Sequence, residues 1–152
     1  MAPAQWATAE PVRDDAFRAA RIEAPSSVLA GGGPFAEGRF RLVYPYLELE
    51  RGREIRLTPG GELVGLLAVL GPHSGYIEVT AGVESGEYLL WDDECSYERL
   101  GSVILDPFAP AGCEVTIRVS DRAVDRSAAK RPVDAHEAAR TRLKLAGLMV
   151  RP

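Results

Sequence analysis

The segment "CEVTIRVS", residues 113–120, alternates without a break: Cys113, Val115, Ile117 and Val119 fall on one side, and Glu114, Thr116, Arg118 and Ser120 on the other. Period two is what a β-strand needs when one face meets a core and the other meets water; a helix would scatter the same apolar residues around its circumference. "GYIEVTAG" repeats the pattern, with Ile77, Val79 and Ala81 against Tyr76, Glu78 and Thr80. Shorter runs add Phe40 with Leu42 and Ile55 with Leu57. Half-buried strands separated by Gly- and Pro-rich turns predict an all-β chain, an antiparallel β-sandwich.

"ELVGLLAVL", residues 62–70, is apolar on both faces. It fits a central strand covered on both sides, and its period also fits a buried helix. "TPGG" at residues 58–61 has the Pro-Gly order of a type II turn. "GPHSG" at residues 71–75 reads as a tight link between strands. "DPFAPAG" at residues 106–112 predicts a hairpin joining residues 95–105 to residues 113–120. In that hairpin Cys95 and Cys113 lie on the order of 25 Å apart along the ladder at ~3.3 Å per residue. A disulfide needs Cα atoms within ~7 Å, so both cysteines are expected free and half buried.

Two regions depart from this rhythm. Residues 1–38 read as an irregular lead-in with a short helix over residues 14–22, broken by "APSSVLAGGGP". The sandwich domain is then expected over residues 39–152. After Ser120 the chain becomes polar and Ala-rich, with a helical turn expected after Asp134. "TRLKLAGLMV" returns to alternation as a closing strand; the rival is one helix over residues 134–149.

At 152 residues the chain can bury an ordinary core without disulfides or metals. Its net charge of −4 and lack of a basic block argue against nucleic-acid binding. The longest apolar run is about half of the ~20 residues that a spanning helix requires, and the first thirty residues show no signal-peptide core. A soluble, cytoplasmic protein with no membrane partner and no cofactor is the resulting expectation, and a homo-oligomer stays open.

For hydrolysis, His73 beside Ser74 is the tempting pair, but both flanks read as strand and the G-x-S-x-G elbow is absent. His136 reads as a surface histidine. The adjacent acids Asp92, Asp93 and Glu94 point to opposite sides of an extended chain, which suits a solvated loop better than a calcium cage. No His/Cys cluster has zinc spacing. Sugar binding is better supplied. "WDDECSYERLG", residues 91–101, offers aromatic faces, carboxylates and a guanidinium in Trp91, Asp92, Tyr97, Glu98 and Arg99. In an extended strand Cys95, Tyr97 and Arg99 share one face. The competing reading is a packing face in which Arg99 bonds an acid such as Asp92.

Four stretches together carry a resemblance. The turn residues Gly71, Pro72, Ser74 and Gly75 are followed by the segment holding Asp92, Cys95, Tyr97, Arg99 and Leu100. "CEVTIRVS" and the closing "RLKLAGLMV" come after them. In this order they resemble the ancillary β-sandwich domain that accompanies bacterial SGNH/GDSL-type hydrolases, over roughly residues 39–150. The chain departs from that pattern in "TAGVESG", which lacks the usual Asp-Gly pair. It carries no G-D-S block, and "DAHE" has one residue too few for a D-x-x-H block. The resemblance therefore implies a jelly-roll-like sandwich, similar to carbohydrate-binding modules, that is non-catalytic and binds or positions carbohydrate. The alternatives are a module docking onto a separately encoded hydrolase, marked by an exposed apolar patch, and a split esterase, for which no Ser-His-acid set is in view.

Overall fold

In the computed structural model, which describes residues 20–152, the alternating segment around Ile117 is a central strand. This strand, β10 (Val115–Val119), pairs antiparallel with β5 (Glu54–Leu57) on one side and β7 (Tyr76–Ala81) on the other. Ile117 sits opposite both Ile55 and Val79. The expected core faces are thus stacked side by side, and Ile55, Leu57, Val115 and Ile117 are fully buried. β2 (Leu29–Gly32) and β8 (Glu84–Leu89) complete the sheet in the order β2-β5-β10-β7-β8.

The second sheet runs β3 (Ala36–Phe40), β4 (Tyr44–Glu50), β11 (Arg142–Arg151), β6 (Glu62–Leu70) and β9 (Arg99–Ala109). β6 is the predicted central strand, and β11 is the predicted closing strand. β4 pairs with β11, β5 with β10, β6 with β9 and β7 with β8. First pairs with last, and the nesting closes inward on a central hairpin, which is the topology of a jelly roll. The two sheets face each other across Leu47, Leu49, Leu66, Leu143, Leu145 and Leu148 from one side and Ile55, Leu57, Ile77, Val115 and Ile117 from the other.

Several expectations are corrected. The sandwich starts well before residue 39. β1 (Arg21–Glu23) pairs with the second half of β11, and β2 and β3 add an edge to each sheet. The part of the expected helix over residues 14–19 lies outside the described residues, and Arg21 and Ile22 are strand. Gly31 and Gly32, expected to break the chain, form part of β2 instead: Gly32 allows close backbone approach, since a Cβ there would lie 2.5 Å from the Glu54 carbonyl oxygen, and Gly31 leaves room for the Arg56 guanidinium. The hairpin around "DPFAPAG" does not form, because β9 runs on to Ala109 in one sheet while β10 belongs to the other. Neither Gly60 nor Gly61 has positive φ, so "TPGG" is a bend and not a type II turn. It is held by β1: the Gly60 N–H donates to Glu23 Oε1 at 3.0 Å. Both cysteines are free, Cys95 buried and Cys113 half-buried just ahead of β10.

The helical turn after Asp134 is present as α1 (Ala135–Ala139). Asp134 caps it, its Oδ1 accepting from the N–H groups of His136 at 2.9 Å and Glu137 at 3.1 Å, the N-cap arrangement that satisfies otherwise orphaned donors. His136 is exposed, as expected.

Candidate functional site

Residues 91–98 are a turn, not the expected strand; β9 begins only at Arg99. The reason is local. The Asp92 carbonyl accepts from Cys95 N–H at 3.1 Å, and Asp92 Oδ1 accepts from Glu94 N–H at 2.9 Å. An Asp side chain that bonds its own backbone two residues on favours a turn over an extended chain. The alternation of Cys95, Tyr97 and Arg99 consequently has no common face. Cys95 is buried, and burial pushes its thiol pKa up. Arg99 ion-pairs with Asp92 and donates from Nη1 to Cys95 Sγ at 3.5 Å. The Arg99–Asp92 partnership is the packing alternative set out from the sequence.

Of the other predicted site residues, Trp91 is only 7% exposed and packs into the core cluster. The Arg126 guanidinium lies 5.8 Å from its ring centroid, and its buried Nε1 has no partner. Tyr97 is the exposed aromatic, at 50%. Asp93 and Glu94 are engaged by Lys130, at 3.7 and 2.6 Å, and that hydrogen bond holds the Glu94 pKa down. Among the described residues no group of three or more His, Cys, Asp or Glu side chains is placed to hold a metal ion.

Glu98, itself exposed, borders a polar layer on the outer face of the β4-β11 pair. It accepts from Lys144 Nζ at 2.7 Å, and Lys144 also lies 5.4 Å from the Tyr46 ring centroid. Arg142 bonds Glu48 at 3.4 Å and pairs with Glu137 of α1. Arg142 and Lys144 were expected on the polar side of the closing strand. They are there, but each is only 8% exposed, because β4 carboxylates, the Glu98 turn and α1 close over them.

His73 is buried beside this layer. Its Nε2–H donates to the Val69 carbonyl at 3.0 Å. Burial foremost, and then the Lys144 charge, lower its pKa from 6.5 to about 4. Ser74 Oγ is spent accepting from Gly71 N–H at 2.9 Å. The pair therefore locks the "GPHSG" turn, with Arg142 N–H donating to the His73 carbonyl at 3.0 Å.

The surface that the sequence reasoning missed is the β3–β4 hairpin. Phe40 pairs with Tyr44 and Gly38 with Tyr46, so Phe40, Tyr44 and Tyr46 share one face of the hairpin. The turn between them places Arg41 at φ 50° and Leu42 at φ 62°, with Val43 N–H donating to the Phe40 carbonyl at 3.1 Å. Left-handed backbone at two consecutive residues with side chains is costly, about 1–2 kcal/mol each. Asn or Gly normally fills such a turn, and "RFRLVYP" carries neither, which is why it read as plain strand. Leu42 and Val43 at the tip are 86% and 70% exposed. A groove of about 300 Å³ is lined by Phe40, Arg41, Val43, Tyr44, Arg99 and Leu100. Arg99 is thus the one predicted site residue that lines it. Glu98 stands beside it through Lys144 and Tyr46.

Two solved structures share this fold. The chain is similar to the catalytic domain of a GH87 alpha-1,3-glucanase in complex with tetrasaccharides, with TM-score 0.53 and 12% identity over 88% of this chain and 28% of that one. It is likewise similar to the catalytic unit of the thermostable GH87 alpha-1,3-glucanase from Streptomyces thermodiastaticus strain HF3-3, with TM-score 0.54 and 12% identity over 88% of this chain and 26% of that one. The chain therefore spans about a quarter of each glucanase unit, and at this identity the likeness is one of fold. No family model matches the chain, and no curated protein does. Neither structural neighbour is an SGNH/GDSL hydrolase.

Proposed function

We propose that this chain is a non-catalytic β-sandwich module that binds carbohydrate in the groove between the β3–β4 hairpin and the start of β9. The observation that carries the reading is the meeting of two aromatic residues, Phe40 and Tyr44, with Arg99 around about 300 Å³ of open groove. Sugar rings stack their C–H faces on aromatic side chains while a few polar groups fix their orientation. Arg99 is held still by Asp92 and Cys95, so it meets a ligand with little ordering cost. Tyr97, exposed two residues earlier, would extend the surface; Glu98 sets Lys144 beneath Tyr46, and Trp91 anchors the turn from within. Two carbohydrate-active enzymes carrying the same fold support this reading, one of them solved with tetrasaccharides. In this reading the module accompanies a hydrolase, SGNH-type or otherwise, and brings it to its substrate.

The test is calorimetric titration of the chain with a panel of soluble oligosaccharides, beside Tyr44→Ala. A ligand whose binding Tyr44→Ala weakens by about tenfold or more, the scale of a lost stacking contact, supports the groove. Binding that Tyr44→Ala leaves intact overturns it. A second reading rests on Leu42 and Val43, 86% and 70% exposed at one hairpin tip: a contact for a separately encoded partner enzyme. If Leu42→Asn with Val43→Asn abolishes association with a co-expressed hydrolase and leaves sugar titrations unchanged, the tip is a docking contact.

A further inference from the structure

The charges around the groove do not cancel. Arg99 is matched by Asp92, and Lys144 by Glu98. Arg41 has no carboxylate within ion-pair distance among the described residues, and no acid lines the groove. The Arg41 guanidinium is also held in place: it lies 5.1 Å from the Phe40 ring centroid. Its backbone sits at φ 50°, in the left-handed region. A neutral sugar can accept hydrogen bonds from a guanidinium, but only an anionic one also answers its charge. An arginine at the wall of an acid-free groove that two aromatic residues also line suits a planar carboxylate on a pyranose ring.

We propose that the groove recognises an acidic sugar, a uronic-acid residue of an oligosaccharide, with Arg41 as the residue that selects its carboxylate. The inference rests on the carbohydrate reading above and adds the class of sugar. The ring stacks against Tyr44 and Phe40, the carboxylate accepts from Arg41, and Arg99 borders the far side of the ring. Retaining two left-handed residues in a turn that Asn-Gly would fill without strain is consistent with a tip shaped to aim Arg41 and not to maximise stability.

The experiment titrates the full chain with an oligouronate trimer, its carboxyl-reduced neutral counterpart and a sulfated trimer of equal length. Arg41→Gln, Arg41→Lys and Tyr44→Ala are run beside it. The uronate is expected to bind at least about tenfold tighter than the neutral trimer, the scale of one charge-assisted contact. This margin should shrink as salt rises. Arg41→Gln should bring the two within about twofold, with its circular dichroism spectrum showing that the fold is kept, and Arg41→Lys should recover only part of the margin. Equal binding of uronate and neutral trimers, both lost in Tyr44→Ala, overturns the acidic-sugar inference and leaves the carbohydrate reading standing. A margin that survives in Arg41→Gln overturns the role of Arg41, and tighter binding of the sulfated trimer overturns the carboxylate assignment. Binding of none of the three overturns the inference, and failure across the wider oligosaccharide panel overturns the carbohydrate reading as well.

Discussion

His73 should make the fold measurably weaker in mild acid. The imidazole is buried, donates to Val69 and faces Lys144, Arg142 and Glu98. In the native state it takes a proton only near pH 4, whereas in the unfolded chain it does so near its ordinary 6.5. Between these values the unfolded state binds a proton that the native state refuses, so stability falls as pH falls. The slope is about 1.4 kcal/mol per pH unit, and the full difference is about 3 kcal/mol. Above pH 6.5 both states are neutral and the group contributes no slope; below pH 4 both are protonated and the loss is complete. The assay is urea unfolding followed by tryptophan fluorescence at pH 7.5 and at pH 5, for the native sequence and for His73→Gln. Gln keeps a side-chain N–H for Val69 and does not titrate. The native sequence should lose about 2 kcal/mol more than the variant over that interval. Carboxylate effects, such as the lowered Glu94, are common to both proteins and cancel. Parallel losses in the two proteins would refute the reasoning, since they would mean that His73 titrates alike in the folded and unfolded chain.

Leu145 is fully buried at the crossing of β4, β11 and β6, and Leu145→Ala should cost about 2–5 kcal/mol in the same assay. Trp91→Ala should cost about 3–5 kcal/mol through lost packing, so it should lower the melting temperature before it says anything about ligands. Leu42→Asn should hold or raise stability by up to about 1 kcal/mol, because an exposed side chain is lost and a residue that tolerates left-handed backbone is gained; a clear fall would refute the strain at this turn. In thiol labelling under native conditions, half-buried Cys113 should react first, and Cys95, buried with its pKa raised, should react only as the chain opens.

The jelly roll was legible wherever one face of a strand met the core and the other met water. Ile55, Leu57, Ile77, Val79, Val115, Ile117, Leu143 and Leu145 were all assigned to buried faces from alternation, and all are buried. Pairing was less legible, because alternation says which way a side chain points and not which strand lies beside it. The hairpin assumed between residues 95–105 and 113–120 followed from chain proximity, and the nesting of a jelly roll sends those neighbours to opposite sheets. β1 and β2 were invisible for a different reason. They are three and four residues long, and β2 carries glycines that look like breakers. The turn over residues 91–98 hid because its stabilising bonds run from Asp92 to nearby backbone, in a stretch whose polar residues happen to alternate.

The part of the site that escaped sequence reasoning escaped at a place where local and global signals disagree. Apart from Pro45, "RFRLVYP" holds no residue that favours a turn, yet it turns, and does so through Arg41 and Leu42 in left-handed backbone. Such a conflict persists in a folded protein when surrounding structure holds it or when the strained geometry is of use. Here the flanking pairs Phe40–Tyr44 and Gly38–Tyr46 hold it, and the Tyr46 ring closes over Gly38, where any Cβ would lie 2.4 Å from ring atoms. The consequence is that a cation and exposed apolar side chains stand at the rim of an aromatic groove facing Arg99. A jelly roll shared with two glucanases fixes none of this, since a fold hosts many sites. The side chains of one hairpin line the groove with Arg99, and the carbohydrate proposal stands or falls there and not on the fold.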